Sequence, residues 1–211
     1  MPISAKESIE KLNSKILSCQ KCKALAELRK TSVLGAGAPK ANIIIISDFP
    51  HKDGAEKKGI PFTGDESGLF IRDILDEVKL SLKKDTYITY LVKCTPRKKK
   101  WGKVGEAVEE RTPTPANVKN CIPYFVQEIT ISTPHIIVSL GLEASNALLE
   151  NFFSMKKKYK SMDKIHMRIF ENPSFKLVPF FSPHDVKYEK TISEEKYIED
   201  FRSLAKLLKM V

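Results

Sequence analysis

The chain has 211 residues, of which 42% are hydrophobic and 29% charged, as in globular proteins that bury a sizeable core. No apolar run is long enough to span a membrane, and the N-terminus lacks a signal sequence, so we expect an intracellular protein with no membrane partner. The net charge of +10 is compatible with a polyanionic partner such as nucleic acid, and equally with a lysine-rich solvated surface.

Local patterns predict that helices and strands alternate along the chain. Capping signals and apolar residues at helical spacing indicate helices, and short β-branched runs between turn residues indicate strands. In chain order we predict a helix from Ser4, strand 43–46, loop 51–64, a helix capped by Ser67, strand 86–92, charged loop 95–115, helix 116–131, strand 135–140, helix 142–153, edge strand 165–170, strand 175–181 and a helix capped by Thr191. The alternation indicates a three-layer α/β fold with a mostly parallel, four-stranded central sheet.

This topology also predicts where a ligand binds. In open α/β sheets, ligands lie outside the carboxyl ends of the strands. The loops at that edge begin at Ser47, Lys93, Leu140 and Ser182.

The four cysteines of the chain predict a metal centre. Cys19 and Cys22 form a close pair, whereas Cys94 and Cys121 come from distant segments. Four thiolates suit either tetrahedral zinc or an iron–sulfur cluster, and their spacing does not choose between the two. The alternative is disulfides or buried free thiols. It is disfavoured because no signal peptide precedes the pair and because a chain of this length needs no disulfide cross-links to fold.

Short motifs run through nearly the whole chain. They are Cys19-x-x-Cys22 with Leu25–Arg29, the proline loop at Pro50, Gly59–Gly64, Ser67–Gly68, Tyr87–Thr89, Val92–Pro96, Arg111–Pro115 before Cys121, and Ile136–Gly141. Together these motifs resemble the family 4, iron–sulfur uracil-DNA glycosylases. The resemblance implies the fold of that family in a single domain of residues 1–211, with a basic loop inserted at about 97–110.

The resemblance also implies a cofactor and partners. The cofactor is a [4Fe–4S] cluster on the four cysteines, with zinc as the alternative. The main partner is DNA, with repair or replication proteins as further partners. A protein of base excision repair is expected inside the cell, on the nucleoid if the source is prokaryotic.

In this family the flipped base is read by an aromatic ring and an asparagine. Phe62 stands at the place of the ring, and the alternative is that it is simply a core residue. Tyr90 stands at the place of the asparagine, and a phenol cannot offer the paired donor and acceptor of an amide. Ser47 and Phe49 of the first loop are expected to line the base site.

The catalytic positions of the family are also substituted. Asp48 is the candidate for positioning water, one methylene shorter than the glutamate of the family, and His51 replaces a glycine. Ser182 takes the place of the histidine that donates to the uracil oxygen. His184, two residues further on, is a possible substitute.

The DNA-binding candidates are mostly in the inserted loop. They are Lys98, Lys99, Lys100, Trp101 and Lys103, together with His184 and Lys187. Basic residues interleaved with an aromatic suit phosphate contact and base stacking. The alternative is a solvated loop with Trp101 folded back onto the body.

The substitutions predict a protein that binds DNA but excises uracil weakly or not at all, because aligned donors and paired hydrogen bonds carry much of the rate. An active glycosylase for uracil or another deaminated or damaged base is the alternative. A non-catalytic module of a repair or replication assembly is a third reading.

Overall fold

A computed structural model describes residues 3–102 and 105–208, and within them the strands form a six-stranded sheet and a separate two-stranded hairpin. The strands are β1 Ala36–Gly37, β2 Ile43–Ser47, β3 Thr86–Tyr90, β4 Arg97–Gly102, β5 Gly105–Glu110, β6 Ile136–Leu140, β7 Phe170–Glu171 and β8 Lys176–Phe180. The helices are α1 Ala5–Leu17, α2 Lys23–Leu28, α3 Ala55–Lys58, α4 Glu66–Glu77, α5 Pro115–Ser132, α6 Leu142–Phe153 and α7 Glu194–Leu208. No helix in these two ranges is long and apolar enough to cross a bilayer.

The order of the large sheet is β1-β3-β2-β6-β8-β7. Its four central strands are parallel, which confirms the mostly parallel sheet, and two antiparallel two-residue strands form its edges. The edge strand predicted at 165–170 is wrong, because pairing with β8 is confined to Phe170 and Glu171. Residues 162–167 instead form turns that bury Met162 and Ile165.

Helices cover both faces of the sheet, which confirms the three-layer arrangement. Ile43 and Ile45 of β2 contribute to the core beneath α4 and α7. Ile44 and Ile46 contribute to the opposite core, beneath α1, α5 and α6. The run of four isoleucines is therefore a strand buried on both faces, as its composition predicts.

The starts of two helices differ from prediction. The capping box at Ser4 is present, but Ser67 lies inside α4, whose N-cap is Asp65. Asp65 has extended backbone and its carboxylate accepts from the Gly68 N–H at 2.7 Å. Likewise Ser193, two residues after the predicted Thr191, accepts from the Lys196 N–H.

The predicted charged loop 95–115 contains the hairpin of β4 and β5. Lys98 lies opposite Glu109, so the facing strands carry opposite charges, and Gly102 pairs with Gly105. The polar loop 51–64 likewise contains the short helix α3. Within the hairpin, Lys103 lies outside the described residues, and so do the side chains of Lys100 and Trp101.

Candidate active site and metal centre

The four parallel strands end in one row, and a cavity of about 220 Å³ opens beyond that row. Ser47 pairs with Tyr90 of β3 and with Leu140 of β6, and Leu140 pairs with Phe180 of β8. The cavity is lined by these site residues predicted from the sequence: Ser47, Asp48, Phe49, Phe62, Tyr90, Ser182 and His184. Their roles stay predictions, but the structure brings all seven together.

Asp48 lies between the cavity and the start of α6. Its Oδ1 accepts from the Ala144 N–H at 2.6 Å. Gly141, with φ of 103°, makes room for it, since a Cβ there would lie 2.8 Å from Oδ2 of Asp48. Burial raises the pKa of Asp48 to about 7, although the Ala144 N–H acts in the opposite direction. A carboxyl group that exchanges a proton near neutral pH is suited to act as a general base.

Phe62 and Tyr90 form a stacked pair in the wall of the cavity. Their ring centroids are 4.9 Å apart, and Phe62 is only 3% exposed, so it is both a core residue and part of the wall. Phe62 has a left-handed backbone with φ of 51°. Its N–H donates to the Tyr90 hydroxyl at 3.1 Å, and its carbonyl accepts from Arg72 at 2.7 Å. Arg72 is a supporting residue that the sequence motifs do not mark.

Ser182 forms a closed turn with Asp185. The Ser182 hydroxyl accepts from the Asp185 N–H at 3.1 Å, and the Ser182 N–H donates to the Asp185 carboxylate at 3.2 Å. These bonds hold the single helical turn at Asp185–Glu189. The serine therefore has a local structural contact in addition to its place in the cavity wall.

Two histidines lie together in the cavity wall and connect it to the hairpin. His51 stacks on His184, with 5.6 Å between ring centroids, and its Nδ1 lies 2.9 Å from Oε2 of Glu110. Burial opposes protonation of His51, but the Glu110 carboxylate outweighs it and the pKa of His51 is raised. Glu110 also accepts from the Lys52 N–H. No local signal in the sequence points to this contact.

Lys187, a predicted DNA contact, is instead held within the protein. Its ammonium lies 2.9 Å from the Glu194 carboxylate and 3.1 Å from that of Glu66, above the ring of Phe70. These carboxylates compensate the charge of Lys187 in the free protein, and its role in DNA binding stays a prediction. Lys98 of the hairpin is exposed, with Glu109 at 4.0 Å.

Each cysteine sulfur accepts a hydrogen bond from a neighbouring donor. The donors are Tyr124 to Cys19, Asn117 and Asn120 to Cys22, Arg29 to Cys94 and the Lys93 N–H to Cys121, and those to the last three cysteines lie 3.3–3.6 Å away. Such donors suit anionic thiolate ligands. All four cysteines are free of disulfides.

The separation of the four sulfurs can be compared with the geometry of a zinc site. Tetrahedral zinc with 2.3 Å bonds would bring its sulfurs to about 3.8 Å from one another. Among the described residues, which include all four cysteines, no three cysteine sulfurs lie within 4.8 Å of one another. In every set of three, at least one pair of sulfurs is therefore farther apart than a tetrahedral zinc site requires.

A buried ion pair lies next to the cysteines. The Lys93 ammonium is 2.7 Å from the Glu128 carboxylate, and both side chains are at most 1% exposed. Tyr87 and Thr89 also donate to Glu128, so its buried charge is well satisfied. The pair links the segment after β3 to α5.

Comparisons with known proteins agree with this geometry. The family model described as Uracil DNA glycosylase superfamily matches residues 34–205. A type-4 uracil-DNA glycosylase of Archaeoglobus fulgidus is 29% identical over 208 residues, covering 95% of this chain and 94% of the relative. One of Saccharolobus solfataricus is 30% identical, covering 96% and 87%, and a type-5 enzyme of Thermus thermophilus is 32% identical, covering 57% and 55%. The chain therefore belongs to the uracil-DNA glycosylase superfamily, as a protein of the family 4 type.

Proposed function

We propose that this protein is a DNA glycosylase that flips a nucleotide into the cavity and hydrolyses its glycosidic bond, with uracil as a poor substrate. The observation that carries the proposal is Asp48, a carboxyl group with its pKa raised to about 7 in the wall of the cavity. Perturbed carboxyl groups in clefts are characteristic of catalytic sites. The names of the type-4 relatives support the same reaction class.

In the proposed reaction Asp48 positions a water molecule and takes its proton. The water oxygen bonds to C1′ of the sugar, the bond from C1′ to the base nitrogen breaks, and its electron pair leaves with the base. His51, whose pKa is raised, lines the same cavity and would supply positive charge to the departing base. This contribution would partly replace the histidine that the family has at Ser182.

Uracil is expected to be read poorly. The Tyr90 hydroxyl is occupied by the Phe62 N–H, and Ser182 is bonded to Asp185. Neither side chain offers the paired donor and acceptor that matches the edge of uracil. Another deaminated or damaged base is therefore the better candidate substrate.

The test is a panel of oligonucleotides carrying uracil, hypoxanthine, xanthine or no damage, with abasic sites scored after incubation. We expect uracil release about a hundredfold or more below that of an ordinary family member, and faster release of another base. Loss of all release in Asp48→Asn would assign the reaction to this site. Rapid uracil release by the unmodified protein would contradict the claim on specificity.

A binding-only role is the second candidate, and the Phe62–Tyr90 stack favours it. Tyr90 covers one face of the ring on which a base would stack. In this role the protein would bind DNA, inside the cell and on the nucleoid in a prokaryote, alone or with repair or replication proteins. Absence of release from every oligonucleotide in the panel would select it.

We propose that the metal centre is a [4Fe–4S] cluster bound by Cys19, Cys22, Cys94 and Cys121. The cluster would join the N-terminal segment to β3 and α5. Purified protein is expected to be brown and to contain iron and sulfide near four per chain, one iron for each thiolate ligand. A colourless protein with one zinc per chain would contradict the proposal.

The hairpin is proposed to contact DNA phosphates. Replacing Lys98, Lys99, Lys100 and Lys103 by glutamine is expected to weaken DNA binding and flatten its salt dependence, because cationic contacts release counterions. Binding is measured by fluorescence anisotropy over a range of salt concentrations. The matched control removes four exposed lysines at the amino ends of β2 and β3, Lys40, Lys79, Lys83 and Lys84. An unchanged slope in the hairpin variant would exclude phosphate contact there.

A further inference from the structure

A second run of positive charge lies outside the hairpin, in residues 156–168, here called the return segment. It contains six lysines and arginines and a single acidic residue, Asp163. The hairpin segment 97–110 has five such cations but three glutamates. The exposed cations of the return segment are Lys156, Lys157, Lys158, Lys160, Lys164 and Arg168.

Hydrogen bonds hold the return segment against α6 and against the end of β8 that leads into the cavity wall. The buried Asn146 of α6 bonds to both the N–H and the carbonyl of Tyr159. Further along, the Met167 N–H donates to the Pro179 carbonyl of β8. His166 accepts from the Phe181 N–H, one residue before the Ser182 loop of the cavity wall. The last part of the segment is thus fixed against the carboxyl end of β8, and its middle is fixed to α6.

The return segment and the hairpin lie on opposite sides of the cavity. The hairpin follows the end of β3 and contacts the wall through Glu110 and His51. The return segment packs against β8, at the other end of the row β3-β2-β6-β8. A duplex centred on the cavity would therefore extend toward a cationic element in each direction.

Most of the cations in the return segment have no compensating partner. Lys158 pairs with Glu150 at 3.5 Å, and Arg168 lies over the ring of Phe170. In the part of the chain that the structure describes, the other four lysines, Lys156, Lys157, Lys160 and Lys164, make no ion pair. Like charges held this close repel one another, and a polyanion would relieve that repulsion.

We propose that the return segment is a second phosphate-binding surface, which holds the DNA backbone on the side of the flipped nucleotide opposite the hairpin. The inference rests on the proposed function for its partner, duplex DNA. Contacts of this kind fix the position of a duplex without reading its sequence. They would also hold the duplex while one nucleotide is extruded, which costs unstacking energy.

The test replaces Lys156, Lys157, Lys160 and Lys164 by glutamine and measures binding to an undamaged duplex as salt is varied. The slope of log K against log salt is expected to fall by about 2 to 4, since each phosphate contact contributes about 0.9. The control variant replaces Lys40, Lys79, Lys83 and Lys84, which lie at the amino ends of the strands, away from the cavity. It removes the same amount of charge, and its slope of log K against log salt should stay close to that of the parent. Arginine at the same four positions of the return segment should restore it.

An unchanged slope in the glutamine variant would overturn the proposal. Equal losses in the variant and its control would also overturn it, since net charge rather than position would then explain binding. The duplex carries no damaged base, so the result does not depend on excision. A protein that releases no base but shows the expected slope would contradict the proposed reaction and still support this surface.

Discussion

Replacing Tyr90 by asparagine together with Ser182 by histidine is expected to raise the rate of uracil excision by about a hundredfold or more. The asparagine would offer the base edge an acceptor and a donor, and the histidine would donate to the uracil oxygen as negative charge develops. Both positions line the cavity, so the new side chains would face the base. Single-turnover excision from a uracil-containing duplex measures the gain.

The structure indicates how much folding stability the double substitution loses. Tyr90 is only 5% exposed, stacks on Phe62 and accepts its N–H, so its truncation removes packing and one backbone contact. A loss of about 3 kcal/mol in the free energy of unfolding is expected. The bond from Arg72 to the Phe62 carbonyl remains and helps hold the left-handed backbone.

The control for the repair is Tyr90→Phe with Ser182→His, which keeps the stacked ring but lacks the amide. It should gain less in uracil excision than the variant with asparagine, because only the histidine contact is added. If the repaired protein is folded, as shown by its melting curve, and still gives no gain, the loss of uracil excision has a cause other than these two residues. Phe49 and His51, bulkier than the family pattern, would then be the residues to replace.

The sequence predicts the central sheet because each strand is a self-contained signal. The isoleucine run of β2 needs no distant partner to be recognised as a buried strand. Once the strands are parallel, their carboxyl ends must share an edge, so the position of the cavity follows from topology. For the same reason topology places Ser47 and Ser182 around one site, whereas the position of Tyr90 follows from the resemblance to the family.

What the sequence does not predict depends on contacts between distant residues. Glu110 reaches His51 across 59 positions, and Lys93 reaches Glu128 across 35. The hairpin was missed because its strands are charged and are stabilised by pairing with each other rather than by an apolar face. Edge strands of two residues carry no periodicity at all. Local sequence patterns therefore do not predict the charged partners of His51 and Lys93.

Replacing Asp48 by asparagine is expected to abolish base release and, at high pH, to stabilise the protein. Burial raises the pKa of this carboxyl from 3.8 to about 7, so between these values the folded protein holds a proton that the unfolded chain releases. Stability from this group is therefore present below about pH 4 and lost as pH rises through 7. Above pH 7 the ionised carboxylate costs on the order of 4 kcal/mol.

Asparagine removes this cost without removing the contact that holds the loop. Its side-chain oxygen can still accept from the Ala144 N–H, and it does not ionise. Urea unfolding should show the variant more stable than the parent at pH 8 and much closer to it at pH 5. Loss of the proton acceptor should lower base release by about 100- to 10,000-fold at pH 8. The loss should be smaller at pH 5, where Asp48 of the parent is mostly protonated. An equal stability difference at pH 5 and pH 8 would contradict the raised pKa.

Glu143→Gln provides a matched test of the same electrostatics. The negative charge of Glu143 raises the pKa of Asp48, so its removal should lower that pKa. The rise of base release with increasing pH should then occur at lower pH. The substitution leaves the Ala144 N–H in place, and α6 keeps its start at Leu142. A pH profile that shifts in Glu143→Gln and disappears in Asp48→Asn would identify Asp48 as the group that titrates during base release. A profile unchanged by Glu143→Gln would assign that titration to another group, for which His51 is the nearest candidate in the cavity wall.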